Sequence, residues 1–233
     1  MATDDLTAAH LVEALDARRS DVELSTLRKR LAPDEPAIGV RMGSLFEVAK
    51  AHTDLPLAEV ERLLQHAAYE PRMAAMCILD FQARRSLDDD ARRDRYDLYL
   101  RRHDRLTTWD MVDRSAPRVV GRYLVGRPLD PLLDLAGSSD PLRRRTAITA
   151  PLWFARYGPD TDNGEAFAVA AVLAADPDPV VHNAVGIFLK HAGQRDPEAL
   201  HRFLDEHAPS MPRPAVRLAT EKLSSAEQAR YRG

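Results

Sequence analysis

Cysteine is nearly missing from this chain, with one thiol, Cys77, in 233 residues. A lone thiol excludes a disulfide framework and any zinc site built on several cysteines. Glycine is scarce as well: there are ten, and none falls in a GxxxxGK[ST] or GxGxxG pattern, so neither kind of phosphate loop is present. HExxH and GxSxG are also absent, and the eight histidines lie scattered without a ligand partner at helical spacing. No metal site and no cofactor are implied. The longest uncharged apolar stretch, Ala166 to Ala175, is far short of the ~20 residues a membrane helix needs. The start, Met1-Ala2-Thr3-Asp4-Asp5, is acidic and lacks the basic region of a secretory signal. A cytoplasmic protein with no membrane partner is the expectation.

Lysine is rare too. Only Lys29, Lys50, Lys190 and Lys222 interrupt the arginines among 33 basic residues. The net charge of −3 argues weakly against nucleic acid as a partner, but it is unevenly placed. Residues 1–70 carry a net −5, residues 71–160 a net +4 and residues 161–233 a net −2. Hydrophobic residues at 45% and charged residues at 30% are ordinary for a folded protein. The length fits one domain over 1–233, or one elongated array.

What is present is helical periodicity. Leu11, Val12 and Leu15 form one apolar stripe, and Leu57, Val60, Leu63, Leu64 and Ala67 form another. Further helices are expected at about 71–84, 88–103, 108–124, 141–157, 164–175, 179–192, 197–207 and 213–223. The acidic run Asp88-Asp89-Asp90 reads as a helix start, where carboxylates favour the positive end of the helix dipole. No stretch alternates as a strand would. Asp140-Pro141 and Asp178-Pro179, 38 residues apart, each open a helix, with the acid as cap and proline in the first turn. Glu70-Pro71 opens another in the same style. A period near 38 with two helices in each is the mark of an all-α chain, an α-solenoid of HEAT-like helical repeats.

Two segments carry candidate chemistry. In Thr107-Thr108-Trp109-Asp110-Met111-Val112-Asp113-Arg114, a threonine can cap a helix on which Trp109 and Asp113 share a face four residues apart. The plainer reading makes Trp109 a core anchor and Asp113 a solvated partner of Arg114 or Arg118. In Arg143-Arg144-Arg145 the triplet spans most of a turn, so at least one arginine should face the binding surface.

These segments resemble the DNA alkylation repair family of HEAT-like-repeat DNA glycosylases, the AlkD-like proteins. The resemblance rests on Thr108-Trp109-Asp110-Met111-Val112-Asp113, on Leu142-Arg143-Arg144-Arg145-Thr146-Ala147-Ile148 and on the helix from Asp178 to Leu189. Ile38-Gly39-Val40-Arg41-Met42 and Glu70-Pro71-Arg72 match as well, so the likeness covers roughly residues 23–223. It implies an enzyme that excises cationic N3- and N7-alkylated purines from double-stranded DNA as a monomer. Asp113 would be the catalytic carboxylate and Trp109 the aromatic face beside the cation. Arg145 would contact phosphate, with Arg144, Lys190, Arg114 and Arg118 as further DNA-binding candidates. The family is known for holding its lesion on a solenoid face without a base-flipping pocket. One departure stands out: where the family has a second tryptophan, this chain has Ile187, within Ala184-Val185-Gly186-Ile187-Phe188-Leu189-Lys190. Phe188 sits about 100° round the helix from it. Loss of that ring implies weaker catalysis, an altered lesion range, or a roomier cleft that accepts bulkier adducts. The alternatives are a non-catalytic HEAT-repeat module that binds damaged or branched DNA, and a protein-interaction solenoid.

Overall fold

The structure, a computed structural model, describes residues 6–158 and 160–232, without the side chains of 160–162 and 232. The acidic start at Met1–Asp5 and Pro159 lie outside the described residues. Every regular element described is helical, and none is long and apolar enough to cross a membrane. The chain divides into two compact units, Met1–Ser115 and Ala116–Gly233.

The first unit holds α1 (Ala8–Asp16), α2 (Asp21–Arg28), α3 (Met42–Ala51), α4 (Leu57–Leu64), α5 (Tyr69–Ala83), α6 (Asp89–Arg101) and α7, which runs from Trp109 to Ala116. Local chemistry starts several of them. Thr7, Ser20 and Asp88 turn their side-chain oxygens onto the amides of His10, Glu23 and Ala91, satisfying donors that have no partner inside the helix. The alanine-rich α5 is buried along nearly its whole length and packs on α3 and α4. Small residues at Ala74 and Ala75 beside Met73 and Met76 let neighbours approach from both sides.

The second unit begins with a π-turn, Pro117–Gly121, and continues through α8 (Asp130–Ala136), α9 (Pro141–Thr149), α10 (Leu152–Tyr157), α11 (Asp160–Val172) and α12 (Pro179–Arg195). It ends with α13 (Pro197–His207), α14 (Arg213–Ala219) and α15 (Ser225–Arg232). Asp140, Asp178 and Asp196 each accept an amide hydrogen bond at 2.8–2.9 Å, with proline one residue further on. Within the unit, α9, α12 and α14 pack in succession, as do α8, α11 and α13. Contacts of α8 with α9, α11 with α12 and α12 with α13 tie the two rows together. That is the helix-pair stacking of an α-solenoid.

Three differences from expectation centre on proline. The helix expected at 141–157 is two, because Pro151 cannot donate to the ladder; α9 stops at Thr149 and α10 starts at Leu152. The helix expected at 108–124 stops at Ala116, and Pro117 opens the wider turn closed by Arg122 N–H on the Pro117 carbonyl at 3.0 Å. No helix is expected between 124 and 141, where Pro128 and Pro131 stand, yet Asp130-Pro131 begins α8.

Candidate nucleic-acid interface

In the first unit, α7 places Trp109 and Asp113 one turn apart on one face, Trp109 52% exposed and Asp113 half-buried. An exposed tryptophan is out of keeping with a core anchor, since burying its ring would stabilise the fold by roughly 2–3 kcal/mol. The helix start beneath it is fastened twice. Asp110 accepts from Arg30 Nη1 at 2.6 Å, from the Tyr69 hydroxyl at 2.8 Å and from the Thr108 hydroxyl at 2.5 Å. Burial alone would raise the Asp110 carboxyl, but the bonds from Thr108, Arg30 and Tyr69 outweigh it and hold its pKa below the usual range. Thr107 donates to Glu35 at 2.5 Å, and Glu35 also receives Arg72 in a buried ion pair. Arg72 in turn donates to the Arg105 carbonyl at 3.3 Å.

Two motifs that are separate in sequence are one device here. Glu70, fully buried, accepts amide hydrogen bonds from Ile38 at 2.8 Å, Gly39 at 2.7 Å and Val40 at 3.1 Å. A carboxyl group in the interior needs such donors in place of water. Gly39 has φ +95°, and a Cβ there would lie 2.6 Å from the Ser20 carbonyl oxygen, so only glycine fits. Arg41, at the entrance to α3, is exposed.

Arg114 turns inward. Its guanidinium lies 4.8 Å from the ring centroids of both Phe46 and Phe81 and 3.0 Å from Asp80, which also accepts from Arg84 at 2.7 Å. It thereby ties α7 to α3 and α5.

In the second unit the arginine triplet divides its labour. Arg144 forms a two-pronged pair with Asp176 at 2.6 and 3.1 Å and caps the carbonyls of Ser138 and Ser139 at 3.0 Å. The hydrogen bond to Asp176 outweighs burial, which would lower it, and raises the Arg144 pKa above its ordinary value. Arg145 is buried and donates to the Val180 carbonyl at the start of α12. Arg143 has the most open side chain, 39% exposed against 13% for Arg144, with Asp140 at 4.0 Å. On α12, Ile187 is half-buried, and Lys190 donates to Glu221 at 3.2 Å. Arg118 is half-buried in the π-turn. Thus Trp109, Asp113 and Arg114 come together on α7 in the first unit, while Arg144, Arg145, Ile187 and Lys190 share the packed pair α9 and α12 in the second.

Sequence reasoning missed Arg30, Glu35, Tyr69 and Asp110 as supports of the α7 start. Asp110 and Glu70 both stood in quoted motifs, but nothing local to either announces its distant partners. Among the described residues no group of three His, Cys, Asp or Glu side chains is placed to hold a metal ion.

Helix pairs stacked in the second unit, with an exposed tryptophan one turn from a half-buried carboxylate in the first, define a helical-repeat protein. The chain belongs to the DNA alkylation repair enzyme family, whose sequence profile matches residues 11–223. It is therefore a repair enzyme for alkylated DNA, and DNA is its substrate. Among solved structures it is similar to one described as a predicted DNA alkylation repair enzyme from Enterococcus faecalis, with a TM-score of 0.64 and 14% identity. The likeness covers 89% of this chain and 98% of that one, and at this identity it speaks for the fold alone. No curated protein matches the chain.

Proposed function

We propose that the chain is a monofunctional DNA glycosylase that releases cationic N3- and N7-alkylated purines from duplex DNA, acting as a cytoplasmic monomer without a cofactor. The observation that carries this is Trp109, exposed one turn above half-buried Asp113 on a helix start fastened by Asp110 and Thr107. Alkylation at N3 or N7 makes the base cationic and a good leaving group. Its departure leaves an oxocarbenium-like sugar, which the Asp113 carboxylate stabilises while orienting the attacking water. Trp109 presents its π face to the cation. A rigid support matters because a carboxylate misplaced by an ångström loses much of its effect. Arg143, the most open of the triplet, holds a backbone phosphate, a contact that positions the strand without reading sequence, while Arg145, expected in that role, is buried and braces the start of α12 instead. Arg118 lies in the turn that follows α7. Arg114, Arg144 and Lys190 each have a carboxylate partner and serve mainly by setting the helices that carry the site. Ile187 leaves room on α12 for a bulky adduct.

Incubation of the purified protein with methylated duplex DNA should release free 7-methylguanine. Asp113→Asn should lower that release at least 100-fold while leaving duplex affinity within about twofold, a difference of under ~0.5 kcal/mol. Unchanged release by the variant would remove Asp113 from the mechanism. A second reading, a non-catalytic module for damaged or branched DNA, is favoured by one observation: an aliphatic Ile187 where the family's second aromatic would stand. Tight duplex binding with no base release from any alkylated substrate is its signature.

A further inference from the structure

The end of α10 carries an aromatic cluster that the glycosylase chemistry leaves unused. Tyr157 is 63% exposed, and its ring centroid lies 4.8 Å from that of Trp153, the planes tilted by 46°. The Arg122 guanidinium lies over the Trp153 ring, 5.5 Å from its centroid. This exposure belongs to a built helix end. Arg195 Nη1 donates to the carbonyls of Phe154 and Gly158, 2.6 Å to each, and so caps α10 from α12. Gly158 fits closely against Phe154, where a Cβ would come within 2.8 Å of the Phe154 Cα. Two arginine hydrogen bonds and a tight glycine thus fix the helix end that holds the ring in water.

Guanidinium groups border the rings. Exposed Arg156 places Nη2 2.9 Å from His191 Nε2, and Lys190, paired with Glu221, precedes His191 on α12. Burial first, then the charges of Arg156 and Lys190, lowers the His191 pKa, with Glu221 working the other way. An open π face bordered by guanidinium groups is suited to a flat ring attached to an anion, which is to say a nucleotide. In paired DNA the faces of each base are covered by its neighbours. Only an unpaired nucleotide can offer a face to Tyr157.

We propose that Tyr157 and Trp153 form a stacking platform for an unpaired nucleotide of DNA, with Arg156 holding its phosphate. The inference rests on DNA as the substrate and is independent of the glycosidic chemistry assigned to Asp113. A single bulged nucleotide would be read here in addition to whatever the α7 face contacts.

The test compares a labelled duplex carrying one bulged nucleotide with its fully paired counterpart, by fluorescence anisotropy. Wild-type protein should prefer the bulged duplex. Tyr157→Ala should weaken binding to it by roughly 5- to 100-fold, the range for loss of one base–aromatic stack. Tyr157→Phe should retain the preference, and all three proteins should bind the paired duplex alike. Tyr157 is an exposed residue, so its loss should leave the thermal midpoint unchanged. At saturation the bulged duplex should quench tryptophan emission more in wild type than in Tyr157→Ala. Equal affinity of wild type and Tyr157→Ala for the bulged duplex, or equal quenching of the two, overturns the platform while the α7 reading stands. Wild-type protein that binds neither duplex overturns both. Base release that persists in Tyr157→Ala without loss of bulge preference overturns the platform alone.

Discussion

Asp110 and Asp113 lie three residues apart on α7, and Asp110 is the one that anchors the helix start. It gathers three hydrogen bonds, two of them from residues 41 and 80 positions away in sequence. Such partners leave no trace in spacing, so a motif search sees both carboxylates and cannot tell the anchor from the proposed catalytic group. The same holds for Glu70, whose amide donors lie 30–32 residues upstream. The depressed Asp110 pKa has a consequence for stability. A carboxyl whose native value lies below its unfolded one stabilises the fold fully above the unfolded value, near 3.9. That contribution is lost as pH falls through the native value. Asp110→Asn should therefore cost about 1–2 kcal/mol near neutrality, a modest loss because Arg30 is partly open to water, which screens its unpaired charge. The gap between wild type and variant should close progressively below about pH 4. Urea unfolding at several pH values checks this, and a gap that stays constant down to pH 2 would mean that Asp110 holds α7 by shape rather than charge. Tyr69→Phe removes one donor and should cost less, about 1 kcal/mol.

At the scale of the helix, legibility followed locality. Asp140-Pro141 and Asp178-Pro179 are readable as starts because cap and first turn are set by adjacent residues. The Asp88 cap and the range 197–207 were readable for the same reason. What was not readable depended on packing. Asp130-Pro131 looked like a loop because Pro128 stands just before it, and the break at Pro151 was masked by apolar residues on both sides. The closeness of α12 to α14 is another packing fact, invisible in sequence except as a glycine. A Cβ on Gly186 would lie 2.6 Å from the Ala215 carbonyl oxygen and 2.7 Å from the Leu218 Cβ. Alanine there gains up to about 1 kcal/mol of helix propensity. It also meets backbone rather than a movable side-chain tip, and such overpacking costs about 1–3 kcal/mol. Steric cost should win, so Gly186→Ala should lower the thermal midpoint by a few degrees, at about 2–4 °C per kcal/mol for a chain of this size. A raised midpoint would show that α14 can move away freely.

Over the whole molecule, the net charge of −3 conceals how the cations are used. Many arginines already face a carboxylate: Arg30 with Asp110, Arg72 with Glu35, Arg114 with Asp80, Arg144 with Asp176. A cation so neutralised releases few counterions from DNA, because it brings little uncompensated charge to a phosphate. The positive stretch at 71–160 therefore overstates the charge open to DNA, and the arginine triplet shows the difference within one turn. Arg144 is enclosed and paired at 2.6 Å, whereas Arg143 is more exposed and its nearest carboxylate, Asp140, lies at 4.0 Å. Each phosphate neutralised on duplex DNA contributes about −0.9 to the slope of log affinity against log salt. Arg143→Ala should make that slope shallower by about 0.9 and weaken all duplex sequences alike, with the thermal midpoint unchanged. Arg144→Ala should leave the slope where it was. It should instead cost about 3 kcal/mol of stability, because Asp176 is then buried without a counter-charge and two carbonyls lose their donor. Titrations of both variants between 50 and 200 mM salt, beside their melting curves, separate the roles (a range over which such contacts change affinity by orders of magnitude). A shallower slope in Arg144→Ala with an unchanged melt would assign the phosphate contact to the enclosed arginine, and would require the Asp176 pair to open when DNA binds.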